Sequence, residues 1–308
     1  MRVALRVLRW AGALSLVSAF AWAQTPAPPP PKPFSFEVAV DVVSVTVVVY
    51  DKAGRFIHGL GPSDITVLED GVPQEVSYFR EAKGGEEKIP LSVVLVLDAS
   101  GSMKQNMPFL QEAASAFVRK LEDVDSALVV SFNESIKGSA DFTGDDERLE
   151  QFVEGLQAWG GTSLYDAIQY SLDRIKGQAG RKALIVFSDG DDTTSSIKES
   201  DVIDIARSVE ATIYTIGIQG GGPGGGAPRG FLKKIASETG GEFFFPDRVG
   251  DLLRVFAEIS EELHNHYLLS YTPKRAPDGT FRNIQVKLDR KDAQVRVRKG
   301  YFALKRRK

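Results

Sequence analysis

Between residues 91 and 263, short apolar runs alternate with segments whose apolar positions recur every three or four residues. The runs at 91–97, 126–132, 138–142, 182–188, 212–218 and 242–245 read as strands. Those at 91–97 and 182–188 are nearly continuous in apolar residues, as strands covered on both faces must be. Segments 108–121, 146–157, 164–176, 199–209, 230–238 and 249–263 carry the helical period. This alternation predicts an α/β fold, a doubly wound and mostly parallel sheet with helices on both faces.

On either side the period is two. Residues 36–50 are valine-rich and alternating, and read as one long strand or two. Residues 65–76 read as two strands around a turn at Glu69-Asp70-Gly71. Further strands are predicted at 267–271, 283–288 and 294–298, with a turn at 277–280. A flank of about 50 residues is too small to bury a core alone. The two flanks are therefore expected to pair, leaving the α/β domain inserted in or flanked by a small β-sandwich. The expected boundaries are a β module at 34–88, the α/β domain at 89–264, the rest of the β module at 265–303 and a basic tail at 304–308.

The N-terminus has the order of a secretory signal over residues 1–23: basic Arg2, Arg6 and Arg9, an apolar stretch from Trp10 to Phe20, and Ala21-Trp22-Ala23 as a cleavage site. The apolar stretch is short for a membrane span, which needs about 20 residues, so no stable transmembrane segment is expected after cleavage. A retained anchor is the alternative. Residues 24–33 are a proline-rich tether. The chain contains no cysteine, which fits an exported bacterial protein, periplasmic or secreted, whose core folds without disulfides. Composition is that of a globular protein, 43% hydrophobic and 26% charged over 308 residues. A formal charge of −3 gives no reason to expect nucleic acid as a partner.

The chemistry gathers at strand ends. Asp98-Ala99-Ser100-Gly101-Ser102 directly follows the 91–97 strand, and ligands of open α/β sheets bind at that edge. A carboxylate and two hydroxyls are hard oxygen donors, suited to Mg²⁺ or a similar cation. Thr162 lies in the glycine turn Gly160-Gly161 before a helical pattern, and Asp189 ends the 182–188 strand. Taken singly, Ser100 and Ser102 could cap a helix and Asp189 could shape a turn.

With DxSxS, a threonine loop and a strand-terminal aspartate in that order, the chain resembles the von Willebrand factor A domain family with its metal-ion-dependent adhesion site. The resemblance implies that Ser100, Ser102 and Thr162 offer hydroxyls to the cation while Asp98 and Asp189 hold it directly or through water. It implies Mg²⁺, with Mn²⁺ or Ca²⁺ as alternatives, and a protein partner whose Asp or Glu completes the coordination. The strand–domain–strand order resembles the insertion in integrin β-subunits. Lys52-Ala53-Gly54, Gly59-Leu60, Glu69-Asp70-Gly71 and Gly300-Tyr301-Phe302 resemble marks of bacterial exported proteins with an A-related domain.

Other residues carry weaker signals. Asp166 could reach the site's periphery or simply favour a helix dipole. Asp191 and Asp192 could add field near the metal or be loop residues. Gly220–Gly226 lacks the ending of a phosphate-binding loop and, with Gly177–Gly180, reads as a connection. His58, His264 and His266 are the only histidines, and the last two lack a convincing third zinc ligand. The order of residues holds no GxSxG or HExxH. The expectation is an exported, divalent-cation-dependent binding module rather than an enzyme. The alternatives are a metal-dependent accessory subunit of a larger enzyme or envelope complex, and a structural module with a vestigial site.

Overall fold

The computed structural model describes residues 42–83, 89–189, 191–218, 229–290 and 292–304. The expected signal segment, the proline-rich tether, the Gly220–Gly226 loop and the basic residues 305–308 lie outside the described residues, as does the start of the 36–50 strand. The elements in order are β1 (Val43–Asp51), β2 (Ile65–Glu69), β3 (Val72–Pro73), β4 (Val76–Ala82), β5 (Leu91–Asp98), α1 (Met107–Val118), β6 (Ser126–Phe132), β7 (Ile136–Gly138), α2 (Asp146–Glu154) and α3 (Leu164–Ile175). There follow β8 (Arg181–Ser188), α4 (Glu199–Ser208), β9 (Thr212–Gly217), α5 (Arg229–Thr239), β10 (Phe243–Phe244), α6 (Leu252–His264), β11 (His266–Tyr271), β12 (Phe281–Leu288), β13 (Ala293–Arg296) and β14 (Gly300–Phe302).

All eight residues of β5 are buried, and it is central in a six-stranded sheet ordered β10-β9-β8-β5-β6-β7. Its pairings with β6 and β8 are parallel, and only β7 runs antiparallel, as a hairpin with β6. Alternate side chains serve opposite faces. Val93, Leu95 and Leu97 pack with α1, α2 and α6, whereas Val94 and Val96 pack with α3, α4 and α5. The helices are built for this. In α3 the buried positions are Leu164, Ala167, Ile168, Ser171, Leu172 and Ile175, a single stripe at helical spacing. The doubly wound α/β prediction therefore describes the observed sheet.

The flanking strands join from both ends of the described chain. β11 lies between β1 and β4, and the far half of β1 pairs with β13. A second sheet has the order β14-β12-β2-β3. The two four-stranded sheets share one core, in which Val45, Val47, Ile65, Val67, Tyr267, Leu269 and Ile284 meet. The expected turn after β2 places Asp70 at φ 47° and Gly71 at φ 82°, the left-handed pair of a tight hairpin.

Three elements differ from the prediction. β4 was not predicted, because most of its side chains are only half-buried along an edge and show no period of two. β14 is three residues long and falls below any periodic signal. The strand expected at 138–142 is β7 at 136–138 instead, since the Asn133 side chain accepts the Ser135 N–H at 2.8 Å and turns the chain early. Among the described residues, no helix is long and apolar enough to cross a membrane.

Candidate metal centre

The register that pairs Leu97 with Phe187 sets the ends of β5 and β8 side by side. Two carboxylates, Asp98 and Asp189, thus emerge at the same edge of the sheet, and they are 0% and 1% exposed. Asp98 is fixed on both oxygens. The Ser100 N–H donates to Oδ1 at 2.8 Å, and the Ser188 hydroxyl donates to Oδ2 at 2.6 Å. Ser102 donates its hydroxyl to Asp189 Oδ1 at 2.7 Å, and the Ser100 and Ser102 hydroxyl oxygens are 3.1 Å apart. A chain of direct hydrogen bonds thus runs Asp98–Ser100–Ser102–Asp189. Ser100 makes no side-chain capping bond to the 3₁₀ turn Gly101–Gln105 that follows it, so helix capping does not account for these serines.

The loop that carries Thr162 is tied to the same cluster through its main chain. The Gly101 N–H donates to the Gly160 carbonyl at 3.0 Å, and the Trp159 N–H to the Ala99 carbonyl at 3.0 Å. The Thr162 N–H donates to Thr193 Oγ1 at 2.9 Å, while its carbonyl accepts the N–H groups of Thr193 and Thr194. The loops that follow β5 and β8 and the loop between α2 and α3 are thus tied together around the two carboxylates.

The electrostatics of this cluster are unbalanced. Burial pushes the Asp98 carboxyl up to about 6, the bonds from Ser100 and Ser188 pull it down, and the nearby Asp189 charge raises it further. Burial also raises Asp189, against the bond from Ser102. Asp189 Oδ2 is buried and has no hydrogen-bond partner, and among the described residues no Lys, Arg or His pairs with either acid. Buried carboxylates are stable as anions only with a compensating charge or full hydrogen bonding. A hydroxyl that donates its proton keeps lone pairs free, so an orphaned carboxylate oxygen beside such hydroxyls is a donor set that fits a hard divalent cation.

The other candidate residues have local roles. Asp166 accepts the Ser196 N–H at 2.9 Å and the Ile197 N–H at 3.2 Å, so it anchors the loop before α4 rather than the cluster. Asp192 accepts the Tyr165 N–H at 3.2 Å at the start of α3, and Asp191 is exposed. His58 pairs with Glu81 at 2.8 Å. His264 faces Asp125 at 3.5 Å, and the ligand atoms of Glu122, Asp125 and His264 lie within 4.8 Å of one another. That group lies at the opposite edge of the sheet, where the Leu91 N–H already occupies Asp125 Oδ1. Sequence reasoning missed Ser188, since a serine closing a strand carries no sign of which carboxylate it will meet.

Comparison with known proteins identifies the family. The chain is 24% identical over 234 residues to the uncharacterized protein sll0103 of Synechocystis sp., covering 67% of this chain and 52% of that protein. It is 26% identical over 196 residues to inter-alpha-trypsin inhibitor heavy chain H4 of Sus scrofa, covering 57% of this chain and 20% of that one. The chain thus spans about half of the first of these relatives and a fifth of the second. Among solved structures, von Willebrand factor type A from Catenulispora acidiphila superposes with a TM-score of 0.52 at 15% identity, covering 75% of this chain and 71% of that chain. Residues 92–258, more than half of the 308, match the model of the von Willebrand factor type A domain. That match begins one residue into β5 and closes within α6, so it takes in both carboxylates, the threonine loop and the sheet that positions them, and the chain belongs to the von Willebrand factor type A domain family.

Proposed function

We propose that the chain is a divalent-cation-dependent protein-binding module and not an enzyme. Asp98, Ser100, Ser102, Thr162 and Asp189 would hold Mg²⁺, with Mn²⁺ or Ca²⁺ as substitutes, in the manner of a metal-ion-dependent adhesion site. The cation would supply an electrophilic position for an Asp or Glu of a partner protein. The observation that carries this reading is Asp189 Oδ2, a buried carboxylate oxygen without a partner beside a second buried carboxylate. The chain's own residues do the rest. Ser188 and the Ser100 N–H orient Asp98, Ser102 orients Asp189, and the bonds from Gly101 and Trp159 hold the threonine loop against both. Because three of the five side chains are neutral hydroxyls, the bound cation would keep affinity for an external acid. We read the module as exported, from the basic, apolar and small-residue order of residues 2–23.

Water-proton relaxation with Mn²⁺ tests this function. Protein-bound Mn²⁺ that keeps an exchangeable water should enhance the relaxation rate. A short peptide with one glutamate should then lower the enhancement, and its glutamine counterpart should not. Absence of enhancement, or equal effects of the two peptides, would count against the proposal.

A further inference from the structure

At the opposite edge of the six-stranded sheet from Asp98, the first residues of β8 and β9 meet β1 and β11 around a cavity of about 250 Å³. Arg181, Lys182 and Arg298 line it with a single carboxylate, Glu210, and with the hydroxyl residues Ser44 and Thr212. Basic side chains nearby have acidic partners. Arg207 bonds Asp204 at 2.9 Å and Glu238 at 3.0 Å, Lys299 bonds Glu238 at 3.0 Å, and Arg296 meets Glu242 and Glu262. The three cations of the cavity differ: among the described residues none forms an ion pair.

The two guanidinium groups meet neutral acceptors instead, carbonyl oxygens and, for Arg181, also His266 Nδ1 at 3.4 Å. Arg298, 8% exposed, donates to Gly300 O at 2.9 Å and to Arg207 O at 2.8 Å. Arg181 donates to the carbonyls of Leu263 and Ile89, and its Nε is buried without a partner. The Asp125 charge acts on Arg181 from a distance, but the oxygens of Asp125 are taken by Leu91 N–H, Glu122 N–H and His264. Carbonyl oxygens solvate a guanidinium without neutralising it. Glu210, the one carboxylate of the lining, acts on Arg298 through its charge, so two guanidinium groups and an ammonium leave the cavity with a net positive charge that a single carboxylate does not balance.

We infer that this cavity binds a small oxyanion of the phosphate or sulfate class. A tetrahedral oxyanion presents acceptors in several directions, which suits guanidinium groups arriving from different elements together with an ammonium and hydroxyls. Bound there, it would bridge the starts of β8 and β9 to β1 and to the segment carrying Arg298, so it would tie the α/β domain to the sandwich. The site is separate from Asp98 and Asp189 and does not depend on a metal.

Isothermal titration of the full chain in metal-free buffer tests the inference. Sodium phosphate, sodium sulfate and glycerol 3-phosphate would be titrated at millimolar concentration, with ionic strength held constant by sodium chloride. At that concentration general stabilisation by excluded salts does not enter. The expected result is one saturable site per chain with Kd below about 1 mM. Lys182→Gln and Arg181→Gln should each weaken it about tenfold or more. Lys52→Gln, on an exposed turn, should bind as wild type. Circular dichroism would establish that each variant folds, and Lys182 is only half-buried, so its substitution keeps the test open if Arg181→Gln does not fold. Tighter binding of glycerol 3-phosphate than of phosphate would assign the site to a phosphate ester, and the reverse to the free anion. No saturable binding of any of the three up to about 10 mM, or wild-type affinity in Lys182→Gln, would overturn the inference.

Discussion

At the scale of single residues, the strand-end cluster holds two buried carboxylates without a neutralising partner among the described residues. Burial raises both, so in the absence of metal each ionised acid costs stability at neutral pH. Asp98→Asn keeps the shape, and its amide can still accept from Ser100 and donate to Ser188. This variant should melt no lower than wild type in EDTA yet lose the rise that Mg²⁺ produces, as differential scanning calorimetry would read. A lower melting temperature in EDTA would mean that Asp98 is structural. That Asp98, Ser100, Ser102 and Asp189 lie together was legible in the sequence, because they follow two apolar runs whose strand ends share one edge of the sheet, and Thr162 stood out as a candidate by its glycine turn. Asp166 was not, since its partners Ser196 and Ile197 lie 30 and 31 positions away and only the fold brings them together.

At the scale of elements, the end of α6 carries a titratable contact. The hydrogen bond to Asp125 raises the His264 imidazole above its ordinary value, against a smaller opposing effect of burial. A histidine raised in the folded state contributes stability in full below its unfolded value of about 6.5 and loses it as pH rises through the folded value. His266, two residues further on, is buried and held well below its ordinary value, by burial first and then by Arg181 and His264, so it acts with the opposite sign. The difference between wild type and His264→Gln reads chiefly the first effect, since His264 is only the smallest of the causes that lower His266. The melting temperature of wild type relative to the variant should fall as pH rises from about 6.5 through the raised folded value. A difference independent of pH would show that the Asp125 contact is not formed by the protonated ring. Long periodic elements such as α3 and β5 were legible in the sequence. β4 and β7 were obscured because edge strands are half-exposed and owe their limits to turns and to partners distant in sequence.

At the scale of the whole molecule, the sandwich holds the two flanks of the chain together. Its interior contains a polar group that spans them. Arg282, 1% exposed, bonds Glu69 at 3.0 Å, and Tyr271 and Tyr301 donate to the other Glu69 oxygen at 2.9 and 2.8 Å. Removing Glu69 leaves Arg282 with the more exposed Asp278 carboxylate at 3.6 Å, so Glu69→Ala should cost about 3 kcal/mol in urea unfolding, the low end for a broken buried pair. A cost under about 1 kcal/mol would place Arg282 in contact with water. The existence of the sandwich followed from the small size of each flank, whereas the Glu69–Arg282 pairing could not be read from residues 213 positions apart. The central claim, a divalent cation held by the strand-end cluster, is tested most directly by thermal melts of wild type, Asp98→Asn and Asp189→Ala in EDTA, Mg²⁺ and Mn²⁺. A ligand confined to the native state adds about 2.7 kcal/mol at a hundredfold excess over Kd. The account predicts a divalent-dependent rise in wild type that both variants lose. No rise in wild type, or the same rise in all three proteins, would contradict it.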